Sequence, residues 1–323
     1  MKLPSIRSDT IVAGLSFSRG RENDYYLCLM EYFEDSENSG RWALSKLVYP
    51  KESKATDESS LSELLRDYKV KQIVTDIPLN MPACYQCTLK CPGEAMCSEA
   101  SVKYVREEVD KILSENSNQQ NFHPKTYEKH RLQSLEVTHQ NDIFAKQSDQ
   151  YILSRSFKRR LKKGYLPYWN RPIDFWVWIN YYDQLLNMFN YSYDSFGLTP
   201  YISIMRINYF KKFLNNNINF YESDIYIILL ELARAGIITK KQLLDLKDLE
   251  FGAEARLNIV KKIEEKIKLF IYEHDLVVLV NDSRAFAAFI LSLSGMASSS
   301  NKTVELPSYC NQKEINFLVP SFY

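Results

Sequence analysis

No apolar run in the 323 residues approaches the roughly 20 needed to cross a bilayer. The opening stretch MKLPSIRSDTIVAGLSF lacks a signal peptide's unbroken apolar core, because Asp9 and Thr10 interrupt it. Together these absences predict a cytoplasmic protein with no membrane partner. Charge of one sign is also missing: 41 basic and 40 acidic residues leave a net +1, so the molecule as a whole has no pull toward nucleic acid or an anionic surface, and any such binding must come from a local patch. There is no Gly-rich phosphate loop, no dinucleotide fingerprint and no G-x-S-x-G elbow, which removes the commonest nucleotide-binding and acyl-transfer sites. The four histidines, His123, His130, His139 and His274, have no metal-ligand spacing among themselves. No internal repeat is evident, and no Pro-, Gly- or Ser-rich linker divides the chain.

What is present is an apolar content of 45%, enough for a substantial core in a chain of this length. Residues 10–18, 24–33 and 42–49 are strand-like runs joined by polar turns at Gly20 and Gly40, the pattern of an antiparallel meander. Leu61, Leu64 and Leu65 have helical spacing, and this helix leads to a further strand at 72–77, rich in β-branched residues. Three strands, a helix and another strand describe a mixed α/β sheet. Beyond it, helices are predicted at 98–113, after Pro172, at about 200–214, and near 222–235, 240–247, 251–272 and 282–296. A polar loop is expected at 115–128, a basic helix at about 140–163, a short strand at 217–221, and closing strands at 303–306 and 315–319. The simplest organisation is one domain over 1–323 with a cysteine-rich loop at 83–98 and a helical insertion at about 115–215.

The chemistry concentrates between residues 71 and 97. The strand delivers Asp76 at its end, Pro78 and Pro82 stop any further ladder, and Cys84, Cys87, Cys91 and Cys97 follow with spacing C-x2-C-x3-C-x5-C. A C-x2-C turn brings two sulfurs toward one point, and two more thiols complete a tetrahedron, so this segment predicts a structural metal site with no open coordination position. Soft thiolates favour zinc. The alternative is an iron–sulfur cluster, since Cys91-Pro92 is a pair such loops favour, although their usual spacing is C-x2-C-x2-C. The plain reading is that some of these thiols are merely free. Cys28, inside an apolar run, reads as a small buried hydrophobe.

A second concentration is basic. Arg155, Lys158, Arg159, Arg160, Lys162 and Lys163 form a run without an acid, followed by Tyr165, Tyr168, Trp169 and Arg171. Cations for phosphates beside aromatic faces for bases suit a single-stranded nucleic acid; the competing reading is a solvated helix end whose aromatics enter the core. Arg171-Pro172-Ile173-Asp174 also reads as an ion pair at a helix start.

The order of these features resembles a large bacterial family of predicted nucleases with a ribonuclease-H-like fold. Gly14-Leu15-Ser16 stands where that family has G-I-D, and Thr75-Asp76-Ile77-Pro78-Leu79 where it has I-D-x-P-L. Ile218-Asn219-Phe220-Tyr221-Glu222 matches I-E-V-Y-P, with the G-x-x-x-R element at Gly252 and Arg256, and the run from Phe286 to Gly295 matches the final helix. The resemblance implies a ribonuclease-H-like mixed sheet with flanking helices, and phosphodiester cleavage by metal-activated water, which requires several carboxylates on one or two divalent ions. Of the four carboxylates implied, only Asp76 is kept: Ser16, Asn219 and Ala287 occupy the other positions. One carboxylate is a poor Mg2+ site. The expectation is therefore a degenerate, non-catalytic member that binds a nucleic acid or a protein, with zinc in its cysteine loop. Against it stand an active Mg2+-dependent nuclease, with Glu222, Asp275 or Asp282 filling the vacated places, and an iron–sulfur or redox sensor.

Overall fold

The computed structural model describes residues 7–17, 25–34, 40–49, 58–85, 87–122, 167–168, 170–190, 201–214, 218–307, 310 and 317–322. The basic run Arg155 to Lys163 and Trp169 lie outside them, as does the helix expected at about 140–163.

Six strands form one mixed sheet: β1 (Arg7–Phe17), β2 (Tyr25–Glu34), β3 (Arg41–Val48), β4 (Gln72–Thr75), β5 (Asn219–Glu222) and β6 (Leu269–Phe270), in the spatial order β5-β4-β1-β2-β3-β6. β1, β2 and β3 are the expected antiparallel meander, while β4 and β5 join the other edge of β1 in parallel. The crossover from β3 to β4 carries α1 (Glu58–Asp67), as its leucine spacing predicts. β6 was not legible, because two residues, Leu269 and Phe270, are too few to show any period; they pair with Trp42 and Ala43. Where closing strands are expected, the described residues show single bridges, Glu222 to Phe317 and Thr303 to Pro320; residues 315 and 316 lie outside the described residues.

The remaining α-helices among the described residues are α2 (Ala100–Phe122), α3 (Pro172–Phe189), α4 (Tyr201–Lys211), α5 (Ile225–Arg234), α6 (Lys240–Asp245), α7 (Gly252–Ile267), α8 (Glu273–Asn281) and α9 (Ser283–Ser299). α2 runs well into the stretch expected to be a loop. Polar residues such as Glu115, Gln119 and Gln120 are adequate helix formers, and the first helix breaker is Pro124. The aromatic start of α3 is buried without interruption from Arg171 to Ile179, which is why no polar face shows in its sequence. No single described helix is both long and apolar enough to cross a membrane; the apolar character of α9 is spent on the core.

Alternation along the strands separates two cores. Val12, Cys28, Met30 and Val74 face α9, α5 and α3, whereas Ala13, Leu15, Leu29 and Ile73 face Leu61 and Leu65 of α1 and Ile204, Ile207 and Phe210 of α4. α9 lies so close to β1 that a Cβ on Gly14 would sit 2.0 Å from the Ala288 carbonyl oxygen and 2.5 Å from the Ser292 nitrogen. Only glycine allows this approach, and the approach sets the start of α9 over the ends of β4 and β5.

Candidate functional site

The register places the carboxyl ends of three parallel strands side by side: Leu15 pairs with Thr75, and Thr75 with Glu222. The next residues in each chain are Ser16, Asp76 and Ser223. One carboxylate and two hydroxyls therefore stand where strands of an open α/β sheet commonly present their ligand site. Ser223 is fully engaged in structure, its Oγ donating to the Leu318 carbonyl at 2.7 Å and sharing a hydrogen bond with Ser294 Oγ at 3.1 Å.

A cavity of about 380 Å3 opens here, with Asp76, Asp174, Glu222 and Asp224 among its lining and Arg171, Lys247 and Arg256 as its cations. Ala287 lines it too, contributing a methyl group where the resemblance implies an acid. Asn219 does not reach it. That residue pairs with Gln72 at the opposite, amino end of the parallel strands and is exposed, so the acid at the carboxyl end of β5 is Glu222. Of the three acids considered for the vacated places, Glu222 lines the cavity, three residues beyond the position the resemblance implies.

Arg171 organises the carboxylates. It precedes Pro172, which opens α3, and its backbone N–H donates to Asp174 Oδ2 at 2.7 Å in a capping arrangement. Its guanidinium donates from Nη2 to Asp174 Oδ1 at 2.7 Å, and from Nη1 and Nη2 to Glu222 Oε2 and Oε1 at 2.7 and 2.6 Å. Glu222 Oε2 also accepts the Leu79 N–H at 3.0 Å, so the Pro78-Leu79 loop is pinned over it. Burial by itself would lower the Arg171 pKa, but the charges of Asp174 and Glu222 and their hydrogen bonds outweigh it and raise it well above the ordinary value. The expected ion pair of Arg171 with Asp174 is present, and Arg171 is buried in it, not set on a basic surface for phosphates.

The other two acids near the site have helical duties. Asp224 Oδ1 caps α5 through the Tyr226 and Ile227 N–H groups, and Asp282 Oδ1 caps α9 through those of Arg284 and Ala285. On the opposite wall, Arg256 donates from Nε to the Val280 carbonyl at 2.7 Å, and partial burial lowers its pKa against the raising effect of Asp282. Asp275 belongs elsewhere: it adds its charge to the surroundings of Cys28.

The cysteine loop lies directly beyond. Cys87 N–H donates to the Cys84 carbonyl at 3.4 Å, closing the C-x2-C turn, and Cys84 N–H donates to the Pro167 carbonyl at 3.2 Å. Burial first, then the charges of Cys97, Cys91 and Cys87, raise the Cys84 thiol. The donor set suits a soft ion in its chemistry. Among the described residues, however, no three His, Cys, Asp or Glu side chains are drawn together as ligands.

The fold is thus a mixed six-stranded α/β sheet covered by helices, with a mixed-charge cavity at the carboxyl ends of its parallel strands. Compared with family models, with curated proteins and with solved structures, the chain matches none.

Proposed function

We propose that this chain is a ribonuclease-H-like protein that holds a nucleic acid strand without cutting it, and that its cysteine loop is braced by a structural zinc ion. The fold half of this reading draws support from the sheet: a three-strand meander continued past β1 by parallel β4 and β5, with Asp76 at the end of β4. The observation that carries the functional half is the engagement of Arg171 with both Asp174 and Glu222. Two-metal hydrolysis needs acidic oxygens free to replace the hydration shell of Mg2+. Here a fixed guanidinium occupies two of the four carboxylates of the cavity, a helix start takes up Asp224, and β1 carries a serine, Ser16, beside the end of β4.

The second reading, an active nuclease, has one observation in its favour, the presence of four carboxylates in a single cavity. Incubation with Mg2+ or Mn2+ and a panel of single- and double-stranded RNA and DNA separates the two. Retention of a strand with no cleavage is expected. Cleavage that disappears in Asp76→Ala overturns the non-catalytic reading.

A further inference from the structure

At the end of the sheet away from the cavity, the Lys71 carbonyl accepts the Asn219 N–H at 2.9 Å, and the chain entering β4 meets the end of α4. Ser62 Oγ of α1 donates to the Phe213 carbonyl at 2.8 Å and locks the two elements together. Between them is a cleft of about 240 Å3 whose polar wall is Arg66, Lys69 and Lys71 and whose apolar wall includes Phe213. No acid lines it. Of the three segments that line it, those within 68–75 and 195–221 contain no acid, and α1 carries Glu63 and Asp67 beside the lining residues.

α4 carries the surface onward. Met205, Asn208, Tyr209 and Lys212 recur at the spacing of one helix face, and that face is exposed. Tyr209 and Phe213 are 51% and 42% exposed, with ring centroids 4.9 Å apart at 78°. A solvated basic face has no use for two touching aromatic rings and a Met205 that is 48% exposed. Cations that track a phosphate backbone beside rings that present faces to bases are the two parts of a single-strand platform.

We infer that the α1–α4 surface, with Arg66, Lys69, Lys71 and Lys212 as phosphate contacts and Tyr209 and Phe213 as stacking faces, is a binding site for single-stranded nucleic acid. The inference rests on the nucleic-acid reading above and supplies it with a location. The strand lies at the amino ends of β4 and β5, a strand length of roughly 13 Å from Asp76, so binding does not present a phosphodiester to the acidic cavity.

The test is fluorescence anisotropy of the full chain with labelled oligo-U and oligo-dT of about 12 nucleotides, a size within the range single-strand platforms cover, against a duplex and heparin. Two double variants on different chemistry are compared with the wild type, each checked by thermal unfolding: Arg66→Glu with Lys212→Glu, and Tyr209→Ala with Phe213→Ala. The expected result is single-strand binding that falls at least tenfold in both. The charge variant also flattens the log–log salt dependence by about 1.4, the loss of two phosphate contacts on a single strand; the aromatic variant leaves it unchanged. Wild-type binding that neither pair weakens overturns this surface and leaves the nucleic-acid reading standing. Failure of the wild type to bind any strand overturns both. Equal binding of heparin, indifferent to the aromatic pair, overturns the nucleic-acid assignment in favour of a general polyanion or acidic protein partner.

Discussion

Arg171 and Glu222, 51 residues apart in the chain, meet through two parallel hydrogen bonds of 2.7 and 2.6 Å, and Asp174 closes the same guanidinium from its other side. Removing the cation leaves two largely buried carboxylates without their shared partner. Arg171→Met is therefore expected to lower unfolding stability by about 3–5 kcal/mol, the usual cost of breaking a buried pair, measured by urea denaturation. Arg171→Lys is expected to recover only part of the loss, because an ammonium does not reproduce the two-pronged contact. Equal stability of Arg171→Met and wild type would show that the cluster carries no weight.

Much of the scaffold was legible because its periods are strong. The meander, α1, β4 with Asp76 directly after it, and the apolar α9 all stand where alternation and helical spacing place them. The site was less legible, for physical reasons. Arg171 with Asp174 is a local motif and was visible, but the bond to Glu222 exists only once α3 and β5 are docked, and nothing in either segment announces it. The resemblance sets Asn219 at an acid position because a four-residue strand offers too little pattern to fix its register. The cations of the proposed α1–α4 surface do not stand out in sequence for a related reason: they are dispersed over two segments more than a hundred residues apart, whereas the run from Arg155 to Lys163 is contiguous.

Gly14 tests the placement of α9. Alanine there sets a methyl carbon against helix backbone, which cannot rotate away as a side chain could. Gly14→Ala is expected to cost about 3 kcal/mol, the upper end of the usual overpacking range, or to abolish soluble expression. Gly295→Ala is a milder control, since its new carbon meets the Val12 side chain at 3.1 Å and that neighbour has some room to yield. Thermal unfolding of both variants gives the order; a Gly14→Ala protein as stable as Gly295→Ala would mean that helix and strand are further apart than described.

Cys28 makes stability sensitive to alkali. Burial pushes its thiol up to about 12, against the lowering effect of the hydrogen bond from Ser292 Oγ and with a small contribution from Asp275. In the unfolded chain the thiol ionises near its ordinary value of 9.0. Below that value both states hold the proton and the stability is intact; between it and the folded value only the folded state does. Unfolding free energy should therefore fall by about 1.4 kcal/mol per pH unit in that window. Tyr181, raised well above its usual value by burial and by Glu231, steepens the fall above pH 10.0. Urea titrations at pH 8, 9.5 and 10.5 compare wild type with Cys28→Ala, in which the slope between the first two points should shrink. An unchanged slope rules out Cys28 as its source.

The zinc proposal makes the last prediction, and it concerns metal content and folding. With four thiolates and no open position, the ion would act only as a brace, holding the turn from Cys84 to Cys87 to the segment that reaches Cys97. Ligation also releases the thiol protons and couples metal affinity to local folding. Protein purified without added ions should carry about one zinc per chain, lose it in the double variant Cys84→Ser with Cys87→Ser, and unfold at a lower temperature after chelation. Cys28 and Cys310 are buried and should not report on the metal, whereas Cys87 and Cys91 are exposed and should become reactive to thiol reagents only once the ion is gone. A metal content below roughly a tenth of a mole per chain removes the ion from the scheme. A brown protein absorbing near roughly 400 nm replaces zinc with an iron–sulfur cluster on the same sulfurs.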